Sequence, residues 1–181
     1  MEITFAKKGL RDYQVVVKRD DGVLLKVQSF DRPILLPHDM AHFVVENELR
    51  LEHGFWGLLA AGVLFSNTRV AAGRVRPRAR ERSRSVLKEV GQQPIEAEVL
   101  VSVMLSIAEE RVDEDWRKVQ TRLDEVWKPR KSQRGPISHD EVRRVCSELR
   151  SAEEQWRALS VGQSTTVVWV PHDRRLQRAR R

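Results

Sequence analysis

The chain has 181 residues, of which 40% are hydrophobic and 33% charged, a balance typical of a soluble protein with one folded domain. A single cysteine excludes an internal disulfide, and no apolar run approaches the roughly 20 residues that a membrane-spanning helix needs. The first residues lack the basic and apolar regions of a secretory signal, so a cytoplasmic location without membrane association is expected.

The formal net charge of +7 is concentrated in two segments. Residues 66–90 carry eight Lys and Arg against two Glu, and residues 171–181 carry five Arg against one Asp. We interpret residues 66–93 as an irregular loop or linker. One domain is predicted over residues 1–170, and residues 171–181 are predicted to be a disordered basic tail.

The first 30 residues show the alternation of apolar and polar side chains that is typical of β-strands. One run contains Tyr13, Val15 and Val17, and a second run covers residues 23–27. The Asp-Gly step between the two runs supplies the positive φ that a tight hairpin needs. Residues 3–6 are predicted to form a further strand.

Residues 37–51 are predicted to form a helix with Pro37 in its first turn and Gly54 as the residue that ends it. Apolar residues lie on two sides of this helix, so it is expected to be mostly buried. A short apolar helix is predicted over residues 55–65.

Residues 95–160 are predicted to form an antiparallel helical hairpin. Apolar residues recur at spacings of three and four along residues 95–126, and again after Ser138, which forms a Ser-x-x-Glu capping box with Glu141. The first helix is longer than the second, so part of its apolar stripe must be covered by the domain body or by another chain. The hairpin is therefore a candidate surface for a protein partner.

Residues 163–170 are rich in β-branched side chains on both faces, which predicts a strand inside the N-terminal sheet. The fold class that follows is α+β. A small antiparallel sheet, made of the N-terminal strands and the C-terminal strand, packs on helices, with the helical hairpin projecting from it.

The strongest pointer to chemistry is the segment that contains His38, Asp39 and His42. A spacing of four places the two histidines on one helical face, and imidazole nitrogens and carboxylate oxygens are ligands that zinc prefers. We predict a site for zinc or another divalent metal, with His38, Asp39, His42 and His53 as candidate ligands. The alternative is that both histidines are structural and bind backbone carbonyls.

Glu46, one turn after His42, is the candidate catalytic residue, as a general base, or a further ligand. Residues four apart drift by about 40° around a helix, so His38, His42 and Glu46 cannot comfortably bind one ion. A ligand from elsewhere is needed, and the acidic stretch of residues 96–114 could supply it. The sequence leaves open whether the protein is an enzyme. If it is, the metal would activate water or polarise a carbonyl.

The motif His38-Asp39-x-x-His42 resembles the metal-binding core of the ubiquinone-biosynthesis proteins, in which a glutamate follows some twelve residues later. This chain has Gly54 at the corresponding spacing. The longer run Leu-Pro-His-Asp-x-x-His-Phe-Val-Val-Glu, followed by Gly-Phe-Trp-Gly, resembles a group of small bacterial proteins, and that resemblance implies no activity.

An arginine series is the second candidate site. It consists of Arg74, Arg76, Arg78, Arg80, Arg82 and Arg84. Arginines at this density suit phosphate contacts, which predicts weak, salt-sensitive binding of nucleic acid without sequence preference, or binding of an acidic partner. Aromatic residues are not interleaved with the arginines, so base-specific recognition is not expected. A solvated loop is the alternative.

Overall fold

The computed structural model describes residues 1–29, 36–126 and 135–171, and within them it contains one five-stranded sheet and six helices. The strands are β1 (Glu2–Gly9), β2 (Asp12–Lys18), β3 (Leu24–Val27), β4 (Thr68–Ala72) and β5 (Ser164–Val168). The helices are α1 (His38–Glu48), α2 (Phe55–Ala60), α3 (Ala79–Val90), α4 (Gln93–Glu110), α5 (Trp116–Val126) and α6 (His139–Ala158). The predicted α+β class, with a small antiparallel sheet packed on helices, is confirmed.

The sheet has the strand order β4-β3-β2-β1-β5, and every neighbouring pair is antiparallel. The predicted hairpin between β2 and β3 turns at Gly22, whose φ is +80°, and its amide donates to the carbonyl of Arg19. Alternate residues of β1 and β2 face the core, so that Ile3, Phe5 and Val15 are fully buried. The alternation that predicted these strands therefore reflects one buried face.

Strand β5 lies at the edge of the sheet, and the prediction that it lies inside the sheet is wrong. It pairs with β1, with Glu2 opposite Val168 and Thr4 opposite Thr166. Val167 packs against the core, whereas Val168 is 55% exposed. The β-branched residues on its outer face reflect strand propensity and cross-strand pairing, such as the hydroxyl contact between Thr4 and Thr166 at 2.9 Å, and not burial.

Helix α1 lies between two hydrophobic clusters, as its two apolar sides predicted. Ala41, Val44, Val45 and Leu49 belong to a cluster with residues of α4, α5 and α6. Met40 belongs to a second cluster formed by the sheet, α2 and two tryptophans. Because α1 contributes to both clusters, its histidines lie on a helix that is packed on two sides.

The helical region differs from the prediction in one respect. The predicted first helix of the hairpin is two helices, because Arg111 adopts a left-handed conformation with φ of +53° and ends α4. Asp115 then accepts hydrogen bonds from the amides of Arg117 and Lys118 in the first turn of α5. The Ser138–Glu141 capping box at the start of α6 is confirmed. Helices α4 and α6 pack against α1, and their buried apolar residues form one cluster with it, whereas the role of the hairpin as a surface for a protein partner stays a prediction.

The prediction of an irregular loop over residues 66–93 is also wrong. Strand β4 pairs with β3, and α3 occupies the second half of the segment. Ser83 is the buried residue of α3, and its hydroxyl accepts a hydrogen bond from the amide of Leu64 at 2.9 Å. This hydrogen bond and the half-buried apolar residues of α3 hold the helix on the domain, and arginine-rich composition does not reveal them.

The remaining expectations concern the tail and the membrane. Residues 172–181 of the predicted basic tail lie outside the described residues. Among the residues that the structure describes, the helices are too short or too polar to cross a bilayer.

Candidate metal centre

The first two turns of α1 present His38 and His42 on the same face. The helix begins at His38, directly after Pro37, and the i,i+4 spacing stacks the two rings edge to face with centroids 4.8 Å apart. His42 is 7% exposed, whereas His38 is half-buried. One imidazole is therefore held inside the protein and the other lies at its rim.

Glu98 of α4 completes a group of three. Its Oε2 lies 2.9 Å from His42 Nε2, and its Oε1 lies 3.1 Å from His38 Nε2. The ligand atoms of the three side chains all lie within 4.8 Å of one another. Donors around a tetrahedral zinc are about 3.3 Å apart, since the bonds are about 2.0–2.1 Å long. The two His–Glu distances are close to this value, each measured to a different oxygen of Glu98, and a separation of 4.8 Å would have to close by roughly 1.5 Å.

Glu46 contacts the other ring nitrogen of His42. Nδ1 of His42 lies 2.9 Å from Glu46 Oε1, and the Glu46 side chain is fully buried. The same carboxylate accepts hydrogen bonds from the amides of Phe55 and Trp56, each at 2.9 Å, at the start of α2. A Cβ at Gly54 would lie 2.5 Å from Glu46 Oε2, so the glycine makes room for this contact. Glu46 thus fixes the His42 ring and the beginning of α2 together.

The two carboxylates also set the protonation of the site. Burial of the ring disfavours its charge, but the hydrogen bonds with Glu46 and Glu98 outweigh burial and raise the pKa of His42 to about 9. The hydrogen bond from His42 lowers the pKa of Glu98 to about 2, although partial burial opposes this. Near neutral pH the metal-free site therefore contains a His42 imidazolium that donates to a carboxylate on each side.

Asp39, a candidate ligand from the sequence, lies apart from the group of three. Its Oδ2 accepts hydrogen bonds from the hydroxyls of Tyr13, at 2.9 Å, and Ser29. Its backbone carbonyl accepts from the indole N–H of Trp56 at 3.1 Å. These contacts tie the first turn of α1 to the sheet and to α2.

His53, the other candidate ligand, is half-buried, and its Nδ1 lies 2.7 Å from Oε1 of Gln93 at the start of α4. It does not belong to the group of His38, His42 and Glu98. Within residues 1–29, 36–126 and 135–171, that group is the one whose side chains are close enough to hold a metal ion. The assignments of Asp39 and His53 as ligands, and of Glu46 as a catalytic residue, stay predictions.

A cavity of about 550 Å³ opens beside the group of three. His38, His42 and Glu98 line it, and Asp39 lines it as well. Its lining also includes Phe55 and Phe65, whose rings stack at 4.8 Å, and the remaining lining residues are Gln28, Ser29, Asn67 and Pro94. An ion at the site would face a space with apolar and polar walls, which is typical of ligand pockets.

The six arginines of the second candidate site lie at the surface, in the segment before α3 and along α3. They are all exposed. Within α3, Arg80 and Arg84 are four residues apart and share a face, whereas Arg82 lies on the other side of the helix. The arginines thus do not form one continuous stripe, and their binding to nucleic acid or an acidic partner stays a prediction.

No known family model, curated protein or solved structure matches this chain.

Glu98 is the site residue that sequence reasoning did not single out. The sequence predicts a carboxylate from the acidic stretch of residues 96–114, but nothing in the sequence distinguishes one of its acidic residues from the others. Packing of α4 on α1 brings Glu98 next to the histidines, although it lies 60 residues from His38 in sequence. A contact over that separation cannot be predicted from local residue spacing.

Proposed function

We propose that the protein binds a divalent metal ion, with zinc the best match, through His38, His42 and Glu98. Two imidazoles and one carboxylate are a donor set that catalytic zinc sites use, and three protein ligands leave a position open for water or substrate. The observation that carries the proposal is the chain of contacts from Glu46 through the His42 ring to Glu98.

Glu46 is the positioning residue in this proposal. A metal-binding histidine needs one nitrogen free of its proton, and a carboxylate that accepts from the other nitrogen selects that tautomer. Glu46 holds Nδ1 of His42, so Nε2 is the nitrogen that faces His38 and Glu98. Both oxygens of Glu46 also accept from backbone amides, which supports a positioning role over proton transfer to a substrate.

The cavity indicates what such a site would do. A bound zinc ion supplies a water with a pKa of about 7 and can polarise a carbonyl. Asp39 is the carboxylate, besides Glu98, that lines the cavity, and it is placed to orient a polar group of a ligand. Phe55 and Phe65 supply an apolar wall against which the rest of a small molecule can pack. We propose hydrolytic or carbonyl chemistry on a small substrate.

Metal content measured on purified protein tests the proposal. After growth with zinc, iron and manganese, elemental analysis should find close to one ion per chain in the wild type. His38→Ala and Glu98→Gln should lose the ion while keeping the circular dichroism spectrum, because both side chains lie at the rim of the site.

Glu109→Gln is the matched control, since Glu109 is an exposed glutamate on the same helix and the variant changes the charge equally. Metal content should be unchanged in this control. Equal metal content in Glu98→Gln and the wild type would contradict the proposal, as would a wild type that takes up no ion in a zinc titration. In either case the three side chains would be a salt-bridge network that joins α1 to α4.

A further inference from the structure

A second cavity, of about 260 Å³, lies between the turn that joins β2 to β3, the end of α2 and helix α3. Arg19 lines it from the turn, Gly62 from the segment after α2, and Arg82 and Ser83 from α3. Arg76, in the segment before α3, lines it as well. None of these residues belongs to the candidate metal centre, so this cavity is a separate feature.

Arg19 is the unusual member of this cavity. The residue is only 7% exposed, although arginine is rarely buried without full pairing. Its Nε and Nη2 both donate to the carboxylate of Asp21. Its Nη1 is shielded from solvent and has no hydrogen-bond partner in the described part of the chain. A buried charged donor without an acceptor is costly, so the folded protein retains an unused binding capacity at this point.

Nη1 lies beside Gly62, which lines the cavity. A Cβ built on Gly62 would be 3.9 Å from Nη1, and Arg19 lines the cavity as well. Gly62 has a φ of +101°, so the backbone makes a turn there that favours a residue without a side chain. The cavity is therefore adjacent to the guanidinium, and because Nη1 has no exposed surface, a ligand can provide the missing acceptor after a small displacement of the Arg19 side chain.

The other polar groups of the wall already have partners. Asp21 accepts from Arg19 and from the amide of Val23. Ser83 accepts from the amide of Leu64 and donates to the carbonyl of Ala79, which fixes α3 and so the position of the neighbouring Arg82. Asp20, the remaining acidic residue of the wall, lies 2.8 Å from the N-terminal ammonium group. The group without a partner is thus a donor, Nη1 of Arg19, and Arg76 and Arg82 line the wall in addition to the Arg19–Asp21 ion pair.

We infer that this cavity binds an oxyanion, specifically the phosphate group of a small molecule. Guanidinium groups present planar pairs of donors that match phosphate oxygens, and Arg19 and Arg82 approach the cavity from different elements. The volume is below the range of about 300–1,000 Å³ that holds drug-sized ligands, so it suits one phosphate group with a short substituent.

The inference differs from non-specific binding to the arginine series, because only some of those arginines line the cavity. Arg82 does and Arg84 does not, although both are exposed residues of α3. Arg82→Gln and Arg84→Gln lower the net charge equally and leave the buried Ser83 anchor in place. If phosphate binds in the cavity, only the first substitution should weaken binding. If phosphate is attracted by diffuse positive charge, both substitutions should weaken it.

The experiment is calorimetric titration of the full chain with inorganic phosphate and with glycerol 3-phosphate, at low and moderate salt. The expected result is saturable binding of one ligand per chain, weakened roughly tenfold by Arg82→Gln through the loss of one charged hydrogen-bonding group, and unchanged by Arg84→Gln. The side-chain Nε–H resonance of Arg19 should shift on saturation, which reports on the buried guanidinium without altering it.

Two results would overturn the inference. One is the absence of saturable binding of either phosphate compound by the folded wild type. The other is equal weakening by the two substitutions, accompanied by tighter binding of a single-stranded oligonucleotide than of glycerol 3-phosphate. That second pattern would assign the arginines to a nucleic-acid surface instead.

Discussion

A buried charged side chain lies at each end of the short helix α2, and the two side chains differ in how completely they are hydrogen-bonded. At its beginning, the carboxylate of Glu46 accepts from two backbone amides and contacts His42, so both of its oxygens are bonded. Beyond its end, the guanidinium of Arg19 lies close to Gly62 and keeps one nitrogen without a partner. The signs suit the helix dipole at both ends. The difference indicates that Glu46 completes the protein's own structure, whereas Arg19 has capacity left for a ligand.

The largest effect is expected from Glu46→Ala. The substitution leaves two backbone amides and the Nδ1–H of His42 without an acceptor, so the free energy of unfolding should fall by about 3–5 kcal/mol, as for a broken buried ion pair. Urea denaturation followed by circular dichroism measures this. Glu48→Ala, on the same helix, is the control, since Glu48 is only partly buried. If the two variants lose the same stability, Glu46 does not have the structural role described here.

A smaller, pH-dependent effect is expected from His42. Its pKa is raised from 6.5 to about 9, so its contribution to stability is complete below pH 6.5 and is lost as the pH rises through 9. The pKa of Glu98 is lowered from 4.5 to about 2, so its contribution is present above pH 4.5 and is lost as the pH falls through 2. The pair should therefore stabilise the metal-free protein most between pH 4.5 and 6.5.

Urea midpoints of the wild type and His42→Gln, measured with a chelator at pH 6, 8 and 9.5, test this expectation. The stability advantage of the wild type should shrink across the series, because the imidazolium loses its proton. His53→Gln serves as the comparison, since His53 contacts a neutral glutamine side chain. A difference between wild type and His42→Gln that stays constant up to pH 9.5 would show that the charge of His42 contributes nothing.

The sequence predicted those residues of the candidate site whose positions depend only on helix α1. The i,i+4 spacing of His38 and His42 fixes their common face, and the two apolar sides of α1 predicted its central position. The partners that give those histidines their chemistry come from tertiary packing. Glu98 is brought in by α4, and the carboxylate of Glu46 bonds the amides at the start of α2.

The fold shows the same division. Hairpin strands and the capping box follow from short-range patterns and were predicted, whereas the edge position of β5 and the break at Arg111 were not. A non-glycine residue with positive φ has no distinctive sequence signal, and the burial of a strand depends on which neighbour arrives beside it. Arg19 is a further case, because a charged residue in a hairpin turn is ordinarily expected to be solvated.

The smallest effect is expected from Arg19→Met, and it decides whether the two ends of α2 really differ. Methionine keeps the length and much of the packing of the side chain, removes the unpartnered donor, and leaves Asp21, whose side chain is half exposed and can be hydrated. The loss of stability should therefore be about 1 kcal/mol or less, in contrast to Glu46→Ala. Phosphate should raise the urea midpoint of the wild type and not that of the variant, because a ligand stabilises the state that binds it. If Arg19→Met costs as much as Glu46→Ala and phosphate has no effect on the wild type, Arg19 is a structural residue like Glu46, and the cavity beside it is a packing defect.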